Sequence, residues 1–384
     1  MDNRHIPFNK PFIAGKELFY IAQAVLSNNR TSGDGPFTAS CQAWLEKKLD
    51  TPKALLTHSC TAALEMSAIL CGIGPGDEVI MPSFTFVSTA NAFVRQGGVP
   101  VFVDIRADTL NIDESLIQSA LSPRTKAIVP VHYAGSACSM DSIMDLAGEN
   151  GLRVIEDAAQ GHLSTCGDKY LGTIGDLGCL SFHETKNIIS GEGGALLINN
   201  TDLCRRAEIV WEKGTNRKEF FRGEVDRYTW VDIGSSFLPS DITAAFLYAQ
   251  LEMAPQIVAA RCRLLDQYCR ELKVLHDQGV IRLPSQGRHN ACNGHIMYII
   301  TNSPQERSRL MAFLKQKSIS SVFHYVPLHS STMGLRYCRV SGSMANTESL
   351  SERVLRLPMF YEMTPEQVSR TTSAIKEFYT LHLT

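Results

Sequence analysis

The sequence predicts an α/β protein, a three-layer domain on a mainly parallel sheet followed by a smaller α+β domain. Three observations carry that reading. Between about residues 50 and 200, short apolar runs of strand length alternate with stretches of helical spacing, as in consecutive βαβ units. From Ile242 to about Leu272 the apolar periodicity is helical and unbroken, a long passage out of the first domain. Beyond it, strand-like and helical segments are separated by Gly- and Ser-rich loops. At 384 residues the chain is long enough for two cores. The expected division is a large domain with an N-terminal arm over residues 1–250 and a small domain over 251–384.

Taken in order, Leu18, Ile21, Ala22 and Val25 share one face at helical spacing. The expected strands are Ala54–Thr57, Glu78–Met81, Val99–Val103, Ala127–Val131, Arg153–Glu156, Cys179–Phe182 and Ala195–Ile198. Each is a short apolar run, as expected of strands covered on both faces. Met140–Ala147 and Leu203–Trp211 have helical spacing and lie between or after these runs. In the small domain, His295–Thr301 and Ser318–Phe323 are expected strands, and Glu306–Lys317 and Pro365–Tyr379 expected helices.

Composition narrows the function. Lys and Arg number 37 against 39 Asp and Glu, a net charge of −2, and no run of like charge suggests a face for nucleic acid or a membrane. Met1–Pro7 lacks an apolar signal core, and no stretch approaches the ~18 apolar residues of a spanning helix. A cytoplasmic protein is expected. The eleven cysteines are scattered singly from Cys41 to Cys338 without zinc-ligand spacing, so reduced thiols and no metal site are expected.

The chemistry concentrates in Leu180-Ser-Phe-His-Glu-Thr-Lys-Asn187, followed by Gly191-Glu-Gly-Gly194, which offers one lysine in a polar, glycine-flanked turn. Upstream, Val154-Ile-Glu-Asp-Ala-Ala-Gln160 is an apolar strand delivering a carboxylate and then an amide. These are parts that pyridoxal 5'-phosphate requires: an amine to hold its aldehyde, a carboxylate to keep its ring nitrogen charged, and donors for its phosphate. Lys186 is assigned as the Schiff-base lysine and proton carrier. Asp157 is assigned to the ring nitrogen, because ligands of open α/β sheets bind outside the carboxyl ends of strands. Gln160 suits the ring hydroxyl. Thr61 and the Ala62 amide, in His58-Ser-Cys-Thr-Ala-Ala-Leu64 at a helix start, suit the phosphate, with Ser181 as a further donor. Phe86, in Pro82-Ser-Phe-Thr-Phe-Val-Ser-Thr89, is expected to stack on the ring. Singly these residues are ordinary caps, core or surface; as a set they fall at successive strand ends of one sheet.

With these residues set out, the chain resembles the DegT/DnrJ/EryC1 family of pyridoxal-phosphate-dependent sugar aminotransferases, of the aspartate-aminotransferase fold (fold type I). The likeness runs through Ile6-Pro-Phe-Asn9, Gly74-Pro-Gly-Asp-Glu-Val-Ile-Met-Pro-Ser83, Pro130-Val-His-Tyr-Ala-Gly135 and Phe323-His-Tyr-Val-Pro-Leu-His329. More specific are Ser181-Phe-His-Glu-Thr-Lys-Asn187, Glu212-Lys-Gly-Thr-Asn-Arg217, Phe220-Phe-Arg-Gly223 and Tyr228-Thr-Trp-Val-Asp-Ile-Gly-Ser-Ser236. The resemblance implies the same roles for Lys186, Asp157, Gln160, Ser181, Thr61 and Phe86. It further implies L-glutamate as donor, a dTDP-linked 4-keto-6-deoxy sugar as acceptor, and a homodimer with active sites at the subunit interface. Where many members have Gly-x-Asn-x-Arg, this chain has Gly234-Ser-Ser-Phe-Leu238, so Ser236 takes the place of the asparagine that reaches the neighbouring subunit's cofactor phosphate. For the substrate, Lys213, Arg217 and Arg222 lie in a polar loop suited to a diphosphate. His324, Tyr325 and His329 cluster in the small domain, and His183 is three residues from Lys186.

Overall fold

The computed structural model describes residues 5–285 and 290–382, so the first four residues of the Met1–Pro7 segment lie outside the described residues. Seven strands of the large sheet follow the predicted runs: β1 Lys53–Thr57, β2 Glu78–Pro82, β3 Val99–Val103, β4 Thr125–Ile128, β5 Arg153–Asp157, β6 Leu177–Ser181 and β7 Gly194–Ile198. Downstream come β8 Tyr298–Ile300, β9 Arg339–Val340 and β10 Val354–Arg356. The large sheet has the order β1-β7-β6-β5-β4-β2-β3-β9, and β8 pairs with β10 in a separate two-stranded sheet. Within the large sheet only β7 runs against its neighbours; the other pairings are parallel. Residues 182–193 contain no helix, so the chain returns from β6 as an antiparallel loop connection instead of a crossover.

Alternate side chains of the strands feed opposite layers. Leu55, Val79, Met81, Leu196 and Ile198 pack on helices α2 Cys60–Leu70, α3 Val87–Val94 and α5 Cys204–Trp211. On the other face Ala54, Leu56, Ala195 and Leu197 meet α1 Pro36–Leu49 and the first half of α6 Asp241–Asp277, while Ile80, Val101 and Val154 meet α4 Met140–Asn150. This is the three-layer arrangement that continuous apolar strands demand.

Helix α6 opens with Ser240 Oγ accepting from the Thr243 amide, and position 250/251 lies inside it. Its second half, from Leu264 to Leu275, enters a second core with Met297, Ile299, Leu355 and helices α7 Pro304–Gln316 and α8 Pro365–His382. Ile6, from the N-terminal arm, is buried in that second core and bridges Ile319. Among the described residues no helix is long and apolar enough to cross a membrane.

Three expected strands differ. Ser318–Phe323 forms no strand: Ser318 has φ +59°, and the segment makes only single bridges, Ile319 to Ile6 and Val322 to Arg356. His295–Thr301 shortens to β8 because the Gly294 and His295 carbonyls accept from Arg261. Ala127–Val131 ends as a strand at Ile128, and Pro130 has no amide to continue the ladder.

Candidate active site

A cavity of about 650 Å³ opens at the carboxyl ends of the parallel strands, where topology places ligand sites. Its wall gathers Ser59–Thr61 after β1, Thr85–Thr89 after β2, Asp157 and Gln160 after β5, and Ser181 and Lys186 after β6. The small domain adds His324, Tyr325 and Arg356, and the N-terminal arm adds Phe8 and Asn9.

At one end, Ser59 caps α2, its Oγ accepting from the Ala62 amide at 3.1 Å. The remaining first-turn amides of a helix have no intrahelical partner, which suits an anion. Thr61 Oγ1 donates to Ser88 Oγ at 2.7 Å, linking the starts of α2 and α3. The expected Ala62 donor is thus engaged by Ser59, and Ala62 does not line the cavity; Ser59 does. Gly194 shapes the same turn. A Cβ there would lie 2.4 Å from the Cys60 nitrogen and the Ser59 carbonyl carbon, so only glycine lets β7 approach.

Asp157 is buried, with Oδ2 accepting from Thr89 Oγ1 at 2.7 Å and Oδ1 from the Ala159 amide at 3.1 Å. Thr85 Oγ1 lies 2.8 Å from Thr89 Oγ1, and since Thr89 gives its proton to the carboxylate, Thr85 is the donor. Gln160 Oε1 accepts from the Ala134 amide at 2.7 Å, which fixes the side-chain amide so that Nε2 donates to Tyr325 Oη at 2.9 Å. The Tyr325 proton therefore remains available for another acceptor. Tyr133 Oη and His324 Nδ1 are 3.2 Å apart. Burial, with the charges of Arg356 and Lys186, pushes His324 down to about 2 and keeps it neutral.

Lys186 sits in the loop between β6 and β7, closed by bonds from Phe182 N–H to Gly193 O (2.9 Å) and from Glu184 N–H to Gly191 O (2.8 Å). Burial holds its amine below the usual lysine range, with Arg356 acting the same way and Cys60 and Asp157 opposing. Such an amine gives up its proton more readily, as a nucleophile or proton carrier must. His183 flanks it, Nδ1 within 2.9 Å of Thr185 Oγ1 and Nε2 3.6 Å from Glu192 Oε1 at the rim. Ser181 lines the floor, and Phe86 is exposed at the mouth, its ring 6.5 Å from that of Tyr325.

Other predicted substrate residues do not line this cavity. His329 is locked to β2, its backbone amide donating to Ser83 Oγ at 3.0 Å and its Nδ1 2.7 Å from the same oxygen. Lys213 and Arg217 both pair with buried Glu212, and Arg222 pairs with Glu208 and Glu224. Ser236 bridges Glu212 in the same surface unit. Within one chain these groups neutralise each other beyond α5.

The fold also brings in residues that the sequence marks faintly or not at all. Thr85 and Thr89, four apart at the start of α3, stand in the segment already singled out for Phe86. Arg261 and Arg356 are less legible: the first points from α6 to the carbonyls of Gly294, His295 and Met359, and burial pushes it to about 10. The signal for Arg356 is an arginine inside the apolar run Val354-Leu-Arg-Leu-Pro358. The lining carries Lys186, Arg261 and Arg356 against Asp157 and rim Glu192, a balance that favours anions. One amine, a carboxylate held by hydroxyls, and first-turn amides with Thr61, Ser88 and Ser181 form a donor set that fits pyridoxal phosphate.

A sequence model of the DegT/DnrJ/EryC1/StrS aminotransferase family matches residues 13–376. An uncharacterized protein of Methanocaldococcus jannaschii is 32% identical over 383 residues, 97% of each chain. Among solved structures, a DegT DnrJ EryC1 StrS aminotransferase from Brucella abortus is 30% identical with a TM-score of 0.86, covering 94% of this chain and 95% of that one. The aminotransferase TlmJ from Streptoalloteichus hindustanus is 26% identical with a TM-score of 0.89, over 99% and 100% of the two chains. DesV of S. venezuelae is 28% identical with a TM-score of 0.88, over 98% and 99%.

Proposed function

The chain belongs to the DegT/DnrJ/EryC1/StrS aminotransferase family and is a pyridoxal-phosphate-dependent sugar aminotransferase; on that premise we propose that it moves the amino group of L-glutamate to C4 of dTDP-4-dehydro-6-deoxy-D-glucose. The products are dTDP-4-amino-4,6-dideoxy-D-galactose and 2-oxoglutarate. This is the activity of dTDP-4-amino-4,6-dideoxygalactose transaminase, which supplies lipopolysaccharide or enterobacterial common antigen precursors. The observation that carries the reading is that Lys186, from the specific segment Ser181-Phe-His-Glu-Thr-Lys-Asn187, lines one cavity with Asp157.

Pyridoxal phosphate, when bound, supplies the carbonyl that carries the amino group and a ring that accepts electrons. The chain does the rest. Lys186 takes and returns the proton at the substrate carbon, its basicity lowered by burial. Thr89 and the Ala159 amide orient Asp157, which favours a positive charge facing it. Gln160 and Tyr325 present donors in a fixed geometry, and Phe86 offers a flat apolar face. We assign hydrogen bonds with the sugar to His183 and neutral His324, a reading supported by their place in the cavity wall.

The unit is a cytoplasmic homodimer in which Lys213, Arg217, Arg222 and Ser236 serve the neighbouring subunit's site. Support comes from the outer surface of their loop, where Phe221, Tyr228, Trp230 and Ile233 are exposed, with Phe220 packed on both Phe221 and Tyr228. Incubation with pyridoxal phosphate, L-glutamate and the keto sugar, followed by NMR of the ring-proton couplings, tests the assignment. An axial C4 amine is expected. An equatorial amine identifies the gluco epimer as product, and no amination refutes the substrate.

A further inference from the structure

Resting on the aminotransferase reading above, we propose that Arg356 is the anchor for a carboxylate of the amino donor. The backbone around it is fixed. Arg356 pairs with Tyr298 across the β8–β10 sheet, donates its amide to Val322 O at 2.8 Å and accepts from the Val322 amide at 3.2 Å. Its guanidinium lies 4.7 Å from the centre of the Phe8 ring, so the N-terminal arm supports one face. It lines the cavity that holds Lys186.

Among the described residues no anion answers this charge. Arg356 Nε is buried without a hydrogen-bond partner, and among the described residues no carboxylate pairs with the guanidinium. The titratable groups felt around it are Tyr133, Tyr325, His324, His295, Lys186 and Arg261, all neutral or cationic in their ordinary forms. A buried cation left in this way is costly, and it becomes favourable once an anion enters. Arginine's planar fork suits a carboxylate in particular. Arg261 is a poorer candidate, because its Nε and Nη2 are already committed to three carbonyls.

The competing anions have other provision. A phosphate held at the start of α2 meets Ser59, Thr61 and first-turn amides, and the diphosphate of a sugar nucleotide is matched by the polar loop around Arg217. An amino acid reacting at Lys186 brings its carboxylates into the part of the cavity that Arg356 faces.

The test uses the holoenzyme and the variants Arg356→Gln and Arg356→Lys. Calorimetric binding of glutarate, an unreactive dicarboxylate, is expected to weaken by at least about a hundredfold in Arg356→Gln. Arg356→Lys keeps the charge without the fork and falls between. The half-reaction with L-glutamate, followed by cofactor absorbance, should slow far more than the half-reaction of amine-loaded enzyme with the keto sugar. An equal loss with L-alanine places the α-carboxylate on Arg356; a loss with glutamate alone places the distal one. Unchanged glutarate binding overturns the assignment. A fall confined to cofactor affinity gives Arg356 to the cofactor phosphate instead, and a fall confined to the sugar half-reaction gives it to the diphosphate. Wild-type enzyme that binds glutarate but does not react with glutamate would refute glutamate as donor while leaving the carboxylate site standing. The melting temperature of Arg356→Gln should be unchanged or higher, since a buried charge is removed.

Discussion

Thr89 Oγ1 donates to Asp157 Oδ2 at 2.7 Å, so a hydroxyl from the first turn of α3 orients the carboxylate at the end of β5. Thr85 in turn donates to Thr89 at 2.8 Å, giving the relay one direction. The other carboxylate oxygen is held by the Ala159 amide.

Thr89→Val removes this donor while keeping shape. A hydrogen bond to a charged group contributes about 1.5–3 kcal/mol, so the glutamate half-reaction should slow by roughly ten- to a hundredfold. Asp157→Asn removes the charge itself and should cost a further factor of about ten or more. Stopped-flow absorbance of both variants checks the order; a Thr89→Val enzyme with wild-type rate would show that the hydroxyl is dispensable.

Gly194→Ala should disturb the start of α2, the proposed phosphate end, from the neighbouring strand β7. The new methyl meets the Ser59 and Cys60 backbone at 2.4 Å, and backbone cannot step aside as a flexible side chain can. Overpacking of this kind costs about 1–3 kcal/mol. Equilibrium dialysis should find weaker cofactor binding and calorimetry a lower melting temperature. Gly148→Ala, in α4 with nothing within 4 Å of the added methyl, serves as the control and should be neutral or stabilising.

His162 predicts an acid sensitivity unrelated to catalysis. It is buried between Trp44 and Phe182 with neither ring nitrogen hydrogen-bonded, and burial pushes it from 6.5 down to about 4. Below pH 6.5 the unfolded chain takes up a proton that the folded chain refuses, so stability falls as pH drops from 6.5 towards 4. The full loss is about 3 kcal/mol. His162→Leu removes this component, so its urea midpoint should fall less than that of the wild type between pH 7 and pH 5. Parallel curves for the two proteins would refute the assignment.

The proposed sharing of sites between subunits is testable by complementation. Lys186→Ala lacks the amine of its own site, and Arg222→Ala lacks a loop cation that does not line its own cavity. Each alone should be impaired. Unfolding and refolding the two together should restore activity through hybrid dimers holding one intact site. No recovery would place Arg222 in its own chain's chemistry or outside the chemistry.

Composition and spacing alone were enough for the large sheet and for the side chains that gather at its crevice. Strands buried on both faces are continuous apolar runs, and residues at their carboxyl ends share one crevice by topology, so the gathering of Lys186, Asp157, Gln160, Ser181, Thr61 and Phe86 around one cavity was legible before any fold was known. The glycine-flanked loop announced Lys186 but not the reversal of β7, because strand direction depends on how the chain returns and not on the run itself. It took the folded chain to show that Ser59 occupies the Ala62 amide, that His329 is tied to Ser83, and that Lys213, Arg217 and Arg222 are paired with glutamates. The fold alone also brought Arg356 and Arg261 to the cavity. The physical reason is common to all of these: a charge or donor takes its role from whichever group lies within about 3 Å of it, and partners from distant parts of the chain leave no periodicity or spacing in the sequence.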